Sequence, residues 1–425
     1  MRTVQKCTEC HAEHWRSHSI VDAFMTITHA AGHLVGLDAL PSPFDYPNSP
    51  AAQAFTRHPL TLGLFLPIQA GGWSASTLPR TTDWSWEYNR DLVLKAESLG
   101  FDLVFALSQW LPKGGYGGVF DGNALDSFQT TAALTSITSR IVLVSTIHVL
   151  YGPLHPLHLA KWGATLDHIS GGRWGINVVT GHRSVEHEAF GWSQIEHDRR
   201  YELAAEFVEV LERLWADDEP FSFEGQSSWK LKNAFVTPKP QFGRPLLVNA
   251  TGSDAGIAFG ARYSDVLFIT SPAGSTFESV IAALPAHVQR IKAEAQAQGR
   301  TVRTLPNPMV ISRETEQEAR AYYDAIVAHQ DFRTPEGFNS LSSDAHAWKG
   351  REGEAVSRRA IGGNIEVVGS PEQVAEQFLQ LHRAGIDGLQ LSFYDFKPDL
   401  EFFGARILPL LQQAGLRVDV NGPAN

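Results

Sequence analysis

The sequence predicts an α/β fold, a parallel (β/α)8 TIM barrel with insertions, on three observations. Short apolar, β-rich runs alternate with amphipathic helical stretches from residue 61 onward. Eight such runs can be counted, at 61–66, 103–107, 141–146, 174–179, 246–250, 266–270, 307–312 and 388–393. Each is apolar on both faces, as expected of strands covered by helices on one side and a barrel interior on the other. An open doubly wound sheet is the runner-up, because the alternation alone does not close the barrel.

In chain order, residues 1–58 come first and read as a poorly ordered extension. PSPFDYPNSPAAQ is rich in Pro and Ser and reads as linker. The segment holds both cysteines, Cys7 and Cys10, in CTECH, with His14 and His18 close behind. That pattern fits haem attachment or a zinc cluster, but it is short, and the extension reading is preferred with no metal assigned.

The barrel is placed at 59–418. Helices are predicted at 85–100, 124–138, 156–170 and 199–215. In the last, Leu203, Phe207, Val210 and Leu214 recur at helical spacing while Glu202, Glu206, Glu209 and Arg213 fill the other face. Chemistry in such a barrel sits on loops leaving the carboxyl ends of the strands. Residues 108–123, 180–198 and 271–275 are loops of this kind. Residues 219–243 read as a hairpin excursion, and 331–370 as a long insertion or lid.

A formal charge of -11 and a pI near 5.8 argue against a protein built around nucleic acid or an anionic membrane. No apolar run reaches the roughly 18 residues of a spanning helix, and the start MRTVQKCTECHAEHW lacks a secretory core, so a cytoplasmic protein is expected. The motifs G-x-x-x-x-G-K-[ST], H-E-x-x-H, G-x-S-x-G and a helix-opening G-x-G-x-x-G are missing, which leaves nucleotide hydrolysis and Rossmann-type dehydrogenation unsupported.

Three features carry chemistry. Asn177 sits in the apolar run of GGRWGINVVTG, where its amide needs partners. NATGSDAGIAFGARYSD (249–265) places Thr251, Gly252 and Ser253 between a strand and a helix, where first-turn amides and a hydroxyl can hold phosphate; Ser253 or Asp254 can equally be a simple cap. EHDRRY (196–201) puts Arg199 and Arg200 in a first helical turn capped by Asp198, against the helix dipole, which an anionic partner or a solvated charge cluster would explain.

With LDHISGGRWGINVVTG, EHDRRY, NATGSDAGIAFGARYSD, VVGSPEQVAEQF and EFFGARILPLL in this order, the chain resembles the bacterial luciferase-like flavin monooxygenases, from about Leu62 to Leu411. It looks closest to the branch of the pyrimidine, dimethylsulfone, alkanesulfonate and nitrilotriacetate enzymes. FALS (105–108), SFQTTAALTSITSRI (127–141) and GSDAGIAF (252–259) resemble the pyrimidine enzyme, and RTTDWSWEYNR (80–90) the sulfone enzyme.

The resemblance implies reduced FMN across the carboxyl ends of the strands and activation of O2 on it, as a peroxide or an N5-oxide. By motif, Asn177, Glu186, Arg200, Tyr201, Gly252 and Ser253 correspond to flavin-binding residues, with Trp110 and Leu111 where the pyrimidine enzyme has Ile-Lys. Leu107, Thr146 and Asn177 correspond to an oxygen pocket. Trp73, Trp110, Tyr116, His148 and His182 are candidates to line the substrate site, with His148 favoured as a substrate contact or proton donor.

The implied substrate is a small polar, organosulfur or N-heterocyclic compound undergoing C–N, C–S or carbon–halogen cleavage. The implied partners are a separate NAD(P)H:FMN reductase and further copies of the chain in a homodimer or homotetramer. Deazaflavin-dependent hydride transfer and a non-catalytic flavin-binding role are the alternatives.

Overall fold

The computed structural model describes residues 40–151, 154–333, 359–362 and 365–419. The sites suggested at Cys7, Cys10, His14 and His18, and most of the insertion at 331–370, lie outside the described residues.

The parallel strands β1 (Thr61–Phe65), β2 (Leu103–Ala106), β3 (Val142–His148), β4 (Trp174–Val179), β7 (Leu246–Thr251), β8 (Val266–Ile269) and β12 (Gly388–Phe393) occupy seven of the eight predicted positions. The remaining predicted position, 307–312, is filled too, with an additional short strand directly before it. β9 (Arg303–Pro306) pairs with β8 and β10 (Pro308–Ser312) pairs with β12, with Asn307 between them. The barrel closes there, where Asp387 N–H donates to the Thr304 carbonyl at 3.0 Å. A further parallel strand, β11 (Ile365–Gly369), extends β10 outward. The sequence reading placed those residues inside the 331–370 insertion, because five residues directly before a helix cap are too few to show a period.

Residues 219–243 contain the antiparallel pair β5 (Phe221–Glu224) and β6 (Lys230–Ala234). The helices follow the strands: α2 (Trp86–Ser98), α3 (Ser127–Thr135), α4 (Pro156–Ser170), α5 (Ser184–Ala189), α6 (His197–Ala216), α7 (Asp254–Tyr263) and α8 (Phe277–Ala297). In α6, Phe207, Val210 and Leu214 are buried as their spacing predicts. Its cap differs: Glu196 accepts from Arg199 N–H at 2.9 Å, so Asp198 lies one residue inside the helix and not at its cap.

The amino-terminal end of the barrel is plugged by α1 (Pro50–Thr56), a helix inside the stretch read as poorly ordered extension. Ser49 caps it by accepting from Ala52 N–H at 3.0 Å, with Pro50 at its first position. Ala51, Ala54 and Phe55 pack on Leu103, Val142, Leu246 and Val266 at the starts of four strands. Burying Phe55 alone is worth about 1.5–3 kcal/mol. Ser42 ties the plug to the barrel by donating to Asp265 Oδ1 at 2.7 Å, and the same carboxylate takes two bonds from the buried Arg244 at 2.6 and 2.8 Å. PSPFDYPNSPAAQ reads as linker by composition, yet it supplies the cap, the first-turn proline and the small residues this plug needs.

Candidate active site

The closed bottom leaves the carboxyl ends of the strands as the open end, and a cavity of about 350 Å³ lies there. Parallel neighbours bring distant residues into register: Thr146 on β3 stands opposite Asn177 on β4, and Asn177 opposite Val248 on β7. Leu107, Thr146, His148, Asn177, Arg200, Tyr201, Gly252 and Ser253 all line this cavity.

One wall is aromatic. Phe65, Phe105 and Phe268 pack ring against ring in tilted and edge-on contacts, with centroids 4.8 Å and 4.7 Å apart, and give an apolar surface that sheds water.

Polar groups with spare capacity line the rest. Asn177 Nδ2 donates to Thr146 Oγ1 at 3.1 Å and Asn249 Nδ2 donates to the Val178 carbonyl at 2.8 Å. Asn307 Oδ1 accepts from Ser392 at 3.2 Å. Among the described residues, Asn177 Oδ1, Asn249 Oδ1, Asn307 Nδ2 and Gln390 Nε2 have no partner although buried. Leaving a buried polar group unpaired costs about 1–3 kcal/mol. Four around one cavity mark the place of a ligand with both donors and acceptors on its edge. The rule that singled out Asn177, an amide in a strand apolar on both faces, applies equally to Asn249 in LLVNAT and Gln390 in GLQLSF; the sequence reading did not extend it to them.

The other end is built for an anion. Ser253 caps α7, accepting from Gly256 N–H at 3.1 Å, a role that leaves its hydroxyl hydrogen free to donate to a ligand. A Cβ on Gly256 would lie 2.2 Å from Thr251 Oγ1, 2.7 Å from the Tyr201 hydroxyl and 3.1 Å from Ser253 Oγ. Three hydroxyls therefore crowd the first turn of α7, and Thr251 Oγ1 is buried without a partner among the described residues. The two arginines of EHDRRY separate: Arg199 pairs with Glu202 on the surface, while Arg200 is buried and lines the cavity. Hydroxyls, a helix N-terminus and a buried guanidinium are a donor set that could hold a phosphate.

Glu186 does not line the cavity. Fully buried, it accepts from Trp110 N–H at 3.0 Å and from the Tyr151 hydroxyl at 2.9 Å, with Arg183 at 3.4 Å. It fastens the loop after β2 to the loop after β4. Trp110 and Leu111 are likewise outside the lining; the Trp110 ring is exposed and meets Phe190 edge-on at 5.2 Å.

Of the aromatic and imidazole candidates, His148 and His182 line the cavity. Trp73 stacks on Phe65 at 3.8 Å and donates to its carbonyl, and Tyr116 lies under Arg183 at 4.9 Å. Burial lowers the His148 pKa to about 4, outweighing the Glu186 carboxylate 3.8 Å away, and burial lowers His182 well below the usual histidine range. Both imidazoles are neutral at pH 7, so His148 suits hydrogen bonding to a substrate better than proton donation.

Comparison with known proteins agrees with this geometry. Residues 60–388 match the family model described as luciferase-like monooxygenase. A dimethylsulfone monooxygenase of Pseudomonas putida, described as FMNH2-dependent, is 33% identical over 364 residues, covering 84% of this chain and 96% of that protein. The pyrimidine monooxygenase RutA of Stutzerimonas stutzeri is 34% identical over 371 residues, covering 83% and 97%. The crystal structure of DmoA from Hyphomicrobium sulfonivorans superposes with a TM-score of 0.71 at 21% identity, covering 86% of this chain and 91% of that one. An eight-position barrel with ligand-demanding amides at one end of its cavity and an anion cradle at the other, matched over most of its length, places this chain in the luciferase-like monooxygenase family.

Proposed function

We propose that the protein is an FMNH2-dependent monooxygenase acting on a small polar organosulfur or N-heterocyclic compound, with cleavage of a C–S, C–N or carbon–halogen bond. The observation that carries this reading is the pairing, in one cavity, of four unsatisfied buried amide atoms with a hydroxyl-rich helix N-terminus and Arg200. A flat ring with alternating donors and acceptors, joined to a phosphate, answers both ends.

Thr251, Ser253, Tyr201 and Arg200 would hold the phosphate, and Asn249, Asn307 and Gln390 would meet polar atoms of the ring. Bound reduced FMN supplies the electron pair by which one O2 is divided between product and water. Thr146 orients the Asn177 amide beside Leu107, giving one small compartment with a single polar corner. The Phe65, Phe105 and Phe268 wall keeps water from this region. His148, neutral and with Nδ1 unpartnered among the described residues, would accept a hydrogen bond from substrate.

Electrons would come from a separate NAD(P)H:FMN reductase. A cytoplasmic location and a homodimer or homotetramer belong to the same proposal; no helix among the described residues is long and apolar enough to cross a membrane.

The test is aerobic turnover with FMN, NADH and a flavin reductase, offering uracil, dimethylsulfone, methanesulfonate and a heteroaromatic panel under labelled O2. One labelled oxygen in one product supports the proposal. Tight binding of a deazaflavin in place of FMN, or consumption of reduced FMN with no labelled product from any compound, would overturn it.

A further inference from the structure

A second cavity, of about 110 Å³, opens at the opposite end of the barrel, beside the plug. Its walls come from α1 (Pro50, Gln53, Ala54) and Arg57 just beyond it, and from residues preceding three strands: Asp102 before β2, Ser139 and Arg140 before β3, and Arg173 before β4. We propose that it is a binding site for a small tetrahedral oxyanion carrying two negative charges, of the phosphate or sulfate type.

The charge count favours an anionic ligand. Arg57, Arg140 and Arg173 line the cavity, and Arg417 stands behind it on Asp102. Against these four cations are two carboxylates, Asp102 and Glu97. Asp102 Oδ2 takes Arg417 and, at 2.9 Å, Leu62 N–H, while its Oδ1 lies 3.6 Å from His58 Nε2, and Glu97 accepts three N–H groups, of Ser139, Arg140 and Ile141, at 2.7–2.9 Å. The surplus is two positive charges.

Among the described residues none of the three lining guanidiniums makes an ion pair, Arg140 donating only to the Glu97 backbone carbonyl. Arg173 is buried and spends all its donors on neutral oxygens: the Ser170, Thr138, Ile141 and Thr135 carbonyls and the Thr138 hydroxyl, at 2.8–3.1 Å. Arg140 Nε is buried with no partner among the described residues, and the Arg57 guanidinium makes no hydrogen bond or ion pair among them. His58 reports the same field: burial is the main cause of its pKa falling to about 3, and Arg417, Arg57 and Arg140 push it the same way.

Size restricts the ligand. At roughly 30 Å³ per water the cavity holds the volume of about four waters, enough for a five-atom oxyanion and too little for a nucleotide. Gln53 and Ser139 are exposed, so the site opens to solvent. A dianion here would bridge the plug to the loops entering β3 and β4 and stabilise the closed bottom, since a ligand that binds only the folded state raises stability.

The full chain should be melted in phosphate, in sulfate and in chloride at matched ionic strength. A saturable rise in Tm of about 2 °C at tenfold the dissociation constant is expected for the dianions and not for chloride. Phosphate active alone identifies phosphate as the ligand; both active identify tetrahedral dianions as a class. Arg57→Gln should abolish the rise. Gln53→Glu, which supplies a carboxylate in place of the anion, should raise the basal Tm and also abolish the response. Flavin affinity should be unchanged in both variants. No rise in the wild type, or a rise that survives both substitutions and so belongs to the α7 cradle, overturns the proposal.

Discussion

Replacing Thr146 by Val keeps the branched shape and removes one hydroxyl. In the wild type that hydroxyl accepts the Asn177 amide at 3.1 Å, with both side chains buried. Valine leaves the Asn177 N–H without an acceptor in a site from which bulk water is excluded, at a cost of about 1–3 kcal/mol. It also frees the amide to turn, so Asn177 Oδ1 no longer has a fixed place. If that oxygen works on the reacting groups, the same 1–3 kcal/mol is lost from the transition state, a fall of about 5- to 150-fold in kcat/KM. FMN affinity should fall less than turnover, because Thr251, Ser253, Asn249 and Gln390 belong to other elements. The assay is product formed per NADH consumed with the reductase in excess, alongside hydrogen peroxide release, which should rise as coupling falls. The double variant with Asn177→Ala should be no slower than Asn177→Ala alone, since both act through one contact. Coupled turnover within twofold of wild type in Thr146→Val, or full additivity in the double variant, would refute the assignment of this pair to the reaction.

Other predictions follow the same contacts. Ser253→Ala should cost about 1 kcal/mol of stability through the lost α7 cap and weaken FMN binding about tenfold, read by fluorescence quenching. Gly256→Ala should nearly abolish FMN binding, although alanine favours helix, because its Cβ would sit among three hydroxyls; unchanged affinity would mean the cradle is misplaced. Glu186→Gln should leave Arg183 without its buried counter-charge and loosen the loop after β2, raising KM for reduced flavin several-fold with little change in unfolding midpoint. Acid should destabilise the fold: His58 and His148 titrate near 3 and 4 when folded against 6.5 when unfolded, so the unfolded chain binds more protons as pH falls below 6.5. Each removes about 1.4 kcal/mol per pH unit until its folded pKa is reached. Asp399, raised by burial to about 6, works in the opposite direction between pH 6 and 3.8 and offsets one of them. Burial also raises Asp102, Asp167 and Glu212, which act with Asp399, so the fall is read where the imidazoles dominate: urea midpoints should be lower at pH 6 than at pH 7.

The barrel was legible because its strands are apolar on both faces, a pattern few architectures require. What escaped was whatever depends on a neighbour distant in sequence. β11 has five residues and acquires its identity only by lying against β10. α1 reads as linker because its alanines are unremarkable until they face Leu103 and Val142 across the barrel floor. Glu186 was legible as important but not in its task, since nothing local shows that Trp110 and Tyr151 arrive at its two oxygens.

The two ends of the barrel obey one electrostatic rule with opposite consequences for reading a sequence. At the open end the unmet polar groups are amides inside strands, and an amide in an apolar run is visible in one dimension: Asn177, Asn249 and Gln390 can each be found by scanning for it. At the closed end the charges without a counter-ion are arginines in the connections before β3 and β4 and after α1, where charge is ordinary and each residue alone reads as solvated surface. Only the fold shows that Arg57, Arg140 and Arg173 converge on one small cavity while Arg417 holds Asp102 and backbone N–H groups hold Glu97. An alternating-strand scan therefore recovers the site that lies within strands and is blind to the one assembled from their entrances. The Arg57→Gln melt in phosphate measures the site that scan could not reach.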